Sequence, residues 1–115
     1  MNWIKRIWWA LIVRAMCVTG GVWATWEPDK QLGQLVARWA PEPSTFVELD
    51  GMQVHVRDTG PRNDPTPIVL IHGMASSLHT WEGWQTQLQG KRRVISFDLP
   101  GFGLTGASPQ SDYRI

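Results

Sequence analysis

Two short apolar runs limit the folds open to this chain. Ile68–Ile71 and Val94–Phe97 are hydrophobic without alternation. A strand wetted on one face alternates, whereas an unbroken run is expected where helices cover both faces of a sheet. Between the runs, Leu78, Trp81, Trp84 and Leu88 recur at spacings of three and four. That is the period of a helix with one buried face, and it sets Trp81 and Trp84 against the sheet. Ser76 or Ser77 stands where the N-cap belongs. Strand, helix, strand is a right-handed parallel crossover. The fold class is therefore α/β, with strands over 67–72 and 93–98 and a helix over 77–89.

A β-hairpin precedes this βαβ unit. Asp50-Gly51 supplies the two positive-φ residues that a type I′ turn requires, between strands over 45–50 and 52–58. After the turn, Met52, Val54 and Val56 alternate with Gln53, His55 and Arg57. A period of two marks a half-buried antiparallel strand and places His55 on its solvated face.

The N-terminal segment has a different character. Residues 7–26 carry one charge, Arg14, and as a helix they would be about 30 Å long, the thickness of a bilayer core. Trp3, Trp8 and Trp9 lie at one end and Trp23 and Trp26 at the other, as indoles do at the two membrane interfaces. Residues 1–26 hold three basic side chains and no acid; the other eight basic residues share residues 27–115 with all ten acids. By the positive-inside rule, Lys5 and Arg6 place the N-terminus in the cytoplasm and the rest outside it. Three readings stand: a signal anchor, a signal peptide cleaved near Val22-Trp23-Ala24, or a surface-lying or core-packed helix. Gly20-Gly21 interrupts the helical pattern. Cys17 sits in this apolar run, where a cysteine packs as a small hydrophobe. A single cysteine excludes a disulfide framework and a Cys-rich metal site. A net charge of +1 gives no reason to expect nucleic acid. Residues 27–44 read as a connector holding a short helix, in which Leu32, Leu35, Val36 and Trp39 share a face, stopped by Pro41 and Pro43.

Ligands of α/β sheets bind beyond the carboxyl ends of the parallel strands. Two loops sit there, His72–Ser77 and Asp98–Gly106. Gly101-Phe102-Gly103-Leu104-Thr105-Gly106 has the glycine spacing of a dinucleotide-binding turn, but Asp98-Leu99-Pro100 separates it from the strand and Ser108-Pro109 follows it. No helix N-terminus is available to hold a pyrophosphate. Ser76 and Ser77 are caps before they are nucleophiles, because neither lies on a strand–turn–helix elbow.

"VLIHGMASSLHTWEGW" followed by "RRVISFDLPGFGLTG" resembles the N-terminal third of the α/β-hydrolase fold superfamily. The similarity spans residues 45–107 and is nearest the branch of epoxide hydrolases, haloalkane dehalogenases, carbon–carbon bond hydrolases and esterases. The resemblance implies that residues 45–115 begin such a domain, behind a segment 1–26 and a connector 27–44. It implies that the amide of Met74 is an oxyanion-hole donor, that Gly73 allows the turn, and that the Met74 side chain lines the pocket floor. His72, Asp98, Pro100, Gly101 and Gly103 would be supporting loop residues, with Asp98 tying down the loop. No cofactor and no metal are implied.

The family's machinery also needs a nucleophile on a G-x-S-x-G-type elbow, an acid and a late histidine. None is present, and His55, His72 and His79 are misplaced for the base. The expected function is therefore the N-terminal part of a membrane-anchored or exported hydrolase of an ester, an epoxide or a related small molecule. This chain alone is expected to be inactive, with Val94–Phe97 at the open sheet edge. The alternative is a truncated, non-catalytic membrane-tethered protein or partner module.

Overall fold

A computed structural model describes residues 2–114, which form two compact units divided between Lys30 and Gln31. The first unit is one helix, α1 (Trp3–Thr25), of 23 residues with none buried. At 1.5 Å per residue it is roughly 35 Å long. It is long and apolar enough to cross a membrane. Gly20-Gly21 does not interrupt it, contrary to the sequence expectation. Nearby Thr19 and Thr25 turn their hydroxyls back onto the carbonyls of Ala15 (2.9 Å) and Gly21 (2.8 Å), which satisfies them inside the helix. Cys17 is exposed on this helix instead of packed.

The second unit begins with α2 (Leu32–Trp39). A sheet follows, made of β1 (Ser44–Leu49), β2 (Met52–Thr59), β3 (Ile68–Ile71) and β4 (Val94–Phe97). Between β3 and β4, a 3-10 turn (Leu78–Trp81) runs into α3 (Glu82–Leu88). The hairpin forms as expected: Asp50 and Gly51 take φ of 49° and 78°, and Leu49 pairs with Met52. The parallel crossover is also present, with Val69 opposite Ile95 and Ile71 opposite Phe97.

Strand order is β1-β2-β4-β3. β4 is therefore interior, antiparallel to β2 and parallel to β3, and β3 is the edge. This corrects the expectation that β4 would stand open. The crossover returns β4 to the inner side of β3, where β2 supplies a second ladder through Val56 and Phe97.

Val54 is buried as the alternation predicts, but the opposite face of β2, read as solvated, is buried as well. The face carrying His55, Arg57, Val94 and Ser96 is buried. It lies under the 3-10 turn and α3, whose Gln85 donates to the Thr59 hydroxyl at 3.1 Å and accepts from the Ser96 hydroxyl at 2.9 Å. The apolar face, with Val47, Leu49, Ile95 and Phe97, has no helix on it among the described residues. Val69 and Ile71 on that face are each 52% exposed. So β3 and β4 are covered on one face here, not two. Of the two tryptophans expected against the sheet, Trp81 is half-buried and Trp84 turns outward. Leu78 and Gln85 are seven residues apart, almost two turns, and both are buried. Trp84, one position before the buried Gln85 and so about 100° around the helix from it, is 60% exposed.

The end of β2 meets the end of α3 at Gly60. Its φ is +89°, and a Cβ there would lie 2.1 Å from the Arg92 carbonyl oxygen. Replacing Gly60 with alanine should lower stability by more than ~1 kcal/mol, through backbone strain and overlap. A methyl group added at Gly90 would meet nothing within 4 Å, and Gly90→Ala should leave stability level or slightly raised. Urea unfolding midpoints of the two variants in detergent check the contrast.

Candidate active site

Parallel pairing of Ile71 with Phe97 brings His72 and Asp98 out side by side at the carboxyl end of the sheet. Both are buried. The His72 ring receives the Leu99 amide on Nε2 at 3.0 Å. Nδ1 must then carry the proton, and it donates to the Gly73 carbonyl at 2.9 Å. One neutral imidazole thus ties the β3 loop to the β4 loop, with its ring edge-on to Phe102 at 5.6 Å.

Asp98 is the other tie. Oδ1 accepts the Leu78 amide at 2.7 Å, and Oδ2 accepts the Leu104 amide at 2.9 Å. The bond to Leu78 satisfies a free N–H at the start of the 3-10 turn, a task the sequence assigns to Ser76 or Ser77. Ser77 makes no side-chain cap; its hydroxyl lies 3.1 Å from His79 Nδ1, and Ser76 pairs with Thr80. The carboxylate sits close against the backbone of Gly103, where a Cβ would fall 2.2 Å from Oδ2. Gly103 has φ of +53° as well, so the position is closed to any side chain. Gly101, φ +76°, lies under the Tyr113 ring, 3.3 Å from a Cβ position. Pro100 leads into this turn, which closes through the Gly101 amide on the Gly106 carbonyl at 3.0 Å.

His55 is the residue that the sequence misplaces. It is fully buried, and Nδ1 meets Asp98 Oδ2 at 2.8 Å. Nε2 lies 2.9 Å from the Ser44 hydroxyl, which already accepts Arg57 Nε at 2.8 Å. The Ser44 proton is then free for Nε2, which leaves Nδ1–H for the carboxylate. Backbone bonds reinforce the pair: Asp98 N donates to the His55 carbonyl at 3.0 Å, and Thr105 bridges both strands from its hydroxyl. The one hint in the sequence is the matching set of polar residues, Gln85 on the helix and Ser96 on β4, able to face a polar strand.

Burial is the largest influence on the Asp98 carboxyl and pushes its pKa up. The His55 bond and the amides of Leu104 and Leu78 together outweigh it and hold the carboxyl below its ordinary value.

Gly73 and Met74 lie between these two ties. Gly73 is not in the left-handed region; Ala75 is, with φ of 56°, so the sharp bend falls two residues later than expected. Space around Gly73 is open. Met74 is 91% exposed, so its side chain forms no pocket floor here. The Met74 amide donates to no group among the described residues. The amides of Gly73, Ala75, Ser76 and Ser77 are likewise unpaired among the described residues, so the loop, anchored at both ends, presents a run of unused backbone donors. No set of three metal-ligating side chains gathers among the described residues.

Residues 66–115 match the family described as alpha/beta hydrolase fold. Residues 66–115 belong to the α/β-hydrolase superfamily. The chain is 38% identical over 67 residues to the 2-hydroxy-6-oxo-2,4-heptadienoate hydrolase of Pseudomonas putida, a match covering 56% of this chain and 23% of that enzyme. Its structure resembles the Cif epoxide hydrolase of Acinetobacter nosocomialis with a TM-score of 0.59 and 25% identity, covering 76% of this chain and 32% of that one. A bacterial membrane phospholipase A shares the fold at 23% identity and a TM-score of 0.57, covering 94% of this chain and 34% of that one. The chain thus spans about a quarter to a third of these hydrolases.

Two outcomes are expected at the buried pair. Asparagine can place an N–H where His55 has Nδ1, whereas glutamine reaches only toward the Nε2 position. His55→Asn should therefore keep slow amide exchange at residues 78 and 104, and His55→Gln should lose it, as read by hydrogen-exchange mass spectrometry. Because the folded Asp98 carboxyl titrates below its unfolded value, its contribution is complete above about pH 5 and is lost as pH falls through ~4 and below. Asp98→Asn should be less stable at neutral pH and show a flatter loss of stability on acidification, measured by urea midpoints across pH.

Proposed function

We infer that this chain forms the N-terminal part of a membrane-anchored or exported hydrolase, in which the Met74 amide is one donor of the oxyanion hole. The observation that carries the reading is the run of unused amides from Gly73 to Ser77 at the carboxyl end of β3, among which the family resemblance picks out the Met74 N–H. It is held in a loop clamped by His72 on one side and by Asp98, through Leu78, on the other. An N–H fixed in this way stabilises charge that develops on a substrate oxygen without reorganising as the reaction proceeds. His72, Asp98, Pro100, Gly101 and Gly103 support the loop and take no part in proton transfer. The similar proteins include a 2-hydroxy-6-oxo-2,4-heptadienoate hydrolase and an epoxide hydrolase, which favours a small-molecule ester, epoxide or related compound as the substrate class. A nucleophile, an acid and a base are required besides, and residues 1–115 supply none on an elbow. The chain by itself is therefore inactive.

Residues 7–26 anchor the protein or direct its export. The basic Lys5-Arg6 side stays in the cytoplasm, and residues from 27 onward lie beyond the membrane. Residues 27–44 act as the connector to the domain that begins at 45.

Coding DNA past Ile115 should continue into a strand–turn–helix elbow of the form G-x-S-x-G or G-x-D-x-G; an immediate stop codon would sink the catalytic reading. In the enzyme so extended, Met74→Pro removes the N–H and should lower kcat by about 10²–10³-fold, while Met74→Ala stays near the parent rate. Equal loss in both variants would remove Met74 from the oxyanion hole. For topology, alkaline phosphatase fused after Ile115 should be active in bacteria, and the product should resist carbonate extraction.

A further inference from the structure

We propose that α2 is an interfacial helix, docked on the surface of the same lipid bilayer that α1 crosses; this rests on the anchoring reading above. The observation begins with the helix face. Leu32, Leu35, Val36 and Trp39 lie within about a third of the helix circumference. Leu35 and Val36 are half-buried against the globular unit, and Trp39 meets His79, whose Nε2 donates to the Trp39 carbonyl at 2.7 Å. Yet Leu32 remains 44% exposed and Trp39 43% exposed. The helix is fastened to its unit along one side of the stripe and leaves an apolar rim uncovered on the other.

Covalent geometry says what covers that rim. Residues 26–31 join the end of α1 to the start of α2. Six residues, even fully extended, reach about 20 Å. If α1 spans the bilayer, the start of α2 stays within about 20 Å of the hydrocarbon boundary, beside a headgroup layer about 5–8 Å deep. Its composition suits that layer. Trp39 carries an apolar ring with a polar N–H, and Arg38 stacks over that ring with its guanidinium 4.9 Å from the centroid. Such a pair places indole at the acyl boundary and positive charge among lipid phosphates. A short helix with an apolar stripe and a cation beside an indole lies in the interface plane and does not span it.

The consequence is orientational. The groove that α2 shares with the site loops, lined by Leu35, Trp39, Ser77, His79, Gly103 and Leu104 and about 240 Å³ in volume, opens beside Trp39. With α2 on the bilayer surface, that groove lies next to the membrane, on the α2 side of the site loops.

Depth-dependent quenching of the full chain tests this. Cys17→Ser provides a background without thiols, and single cysteines at Ile12, Leu32 or Asn63 carry an NBD fluorophore. Each protein is reconstituted in phosphatidylcholine–phosphatidylglycerol vesicles, with or without lipids brominated on the upper acyl chain. The labels at 12 and 32 should lose emission to the brominated lipid, and the label at 63 should not. Quenching at 12 without quenching at 32 overturns the proposal and leaves the anchor standing. No quenching at either position overturns the anchor and the proposal with it. A label at 32 that is blue-shifted but insensitive to bromine shows that a second copy or another protein covers the rim, and overturns the proposal as well. Equal quenching at 32 and 63 indicates general adsorption and does the same.

Discussion

The Asp98 carboxylate is the contact on which the carboxyl end of the sheet depends. It accepts three hydrogen bonds, from Leu78, Leu104 and His55, and the residue's backbone is held by His55 and Thr105. These bonds come from β2, from the start of the crossover helix and from the loop after β4. A buried carboxylate without such partners would be costly by several kcal/mol. With them, it aligns three segments far apart in sequence and leaves the loop between β3 and α3 stretched between His72 and Leu78. The unused Met74 amide follows from that arrangement, since the loop's bonding capacity is concentrated at its ends.

The same contact explains why a polar strand face lies beneath a helix. His55, Arg57, Ser96 and Gln85 satisfy one another in a continuous chain, from the Ser44 hydroxyl through Arg57 and Gln85 to β4. Paired in this way, polar groups can be buried at little net cost, whereas an apolar helix face would take away the partners that Gln85 gives to Thr59 and Ser96 and that Glu82 gives to Arg57. The apolar residues thereby fall on the opposite face. Val47, Leu49, Val54, Val56, Ile95 and Phe97 line a shallow apolar cavity of about 290 Å³ there. A sheet of this class is covered on both faces. The chain spans about a quarter of its curated relative, and the exposed side of β3 carries unpaired backbone groups as well as side chains.

The two units follow different rules. In α1 all backbone bonds are internal, and even Thr19 and Thr25 return their hydroxyls to the helix, which is the condition for residing in hydrocarbon. In the globular unit, backbone and side-chain polar groups are satisfied across long sequence separations. His55 and Asp98 are 43 residues apart, and Arg92 and Arg93 both bind Asp64, lowering its pKa to about 2.

Elements were legible in the sequence because their causes are local. The positive-φ demand of Asp50-Gly51 makes a hairpin wherever it occurs between strands, and unalternating aliphatic runs on either side of a helical period make a parallel crossover. The His-Gly and Asp-x-Pro-Gly-x-Gly blocks were legible for the same reason and named the superfamily. Placement was not. Which strand is the edge depends on whether β4 returns inside or outside β3, and no short-range pattern records that. Which face of β2 is the inner one depends on Gln85 and Ser96, residues 28 and more positions beyond Arg57, because alternation reports that two faces differ and not which of them a helix covers. The roles of His55 and Asp98 required both answers at once. Their pairing exists only when β2 and β4 are neighbours and the polar face is buried, so only the tertiary structure could decide it.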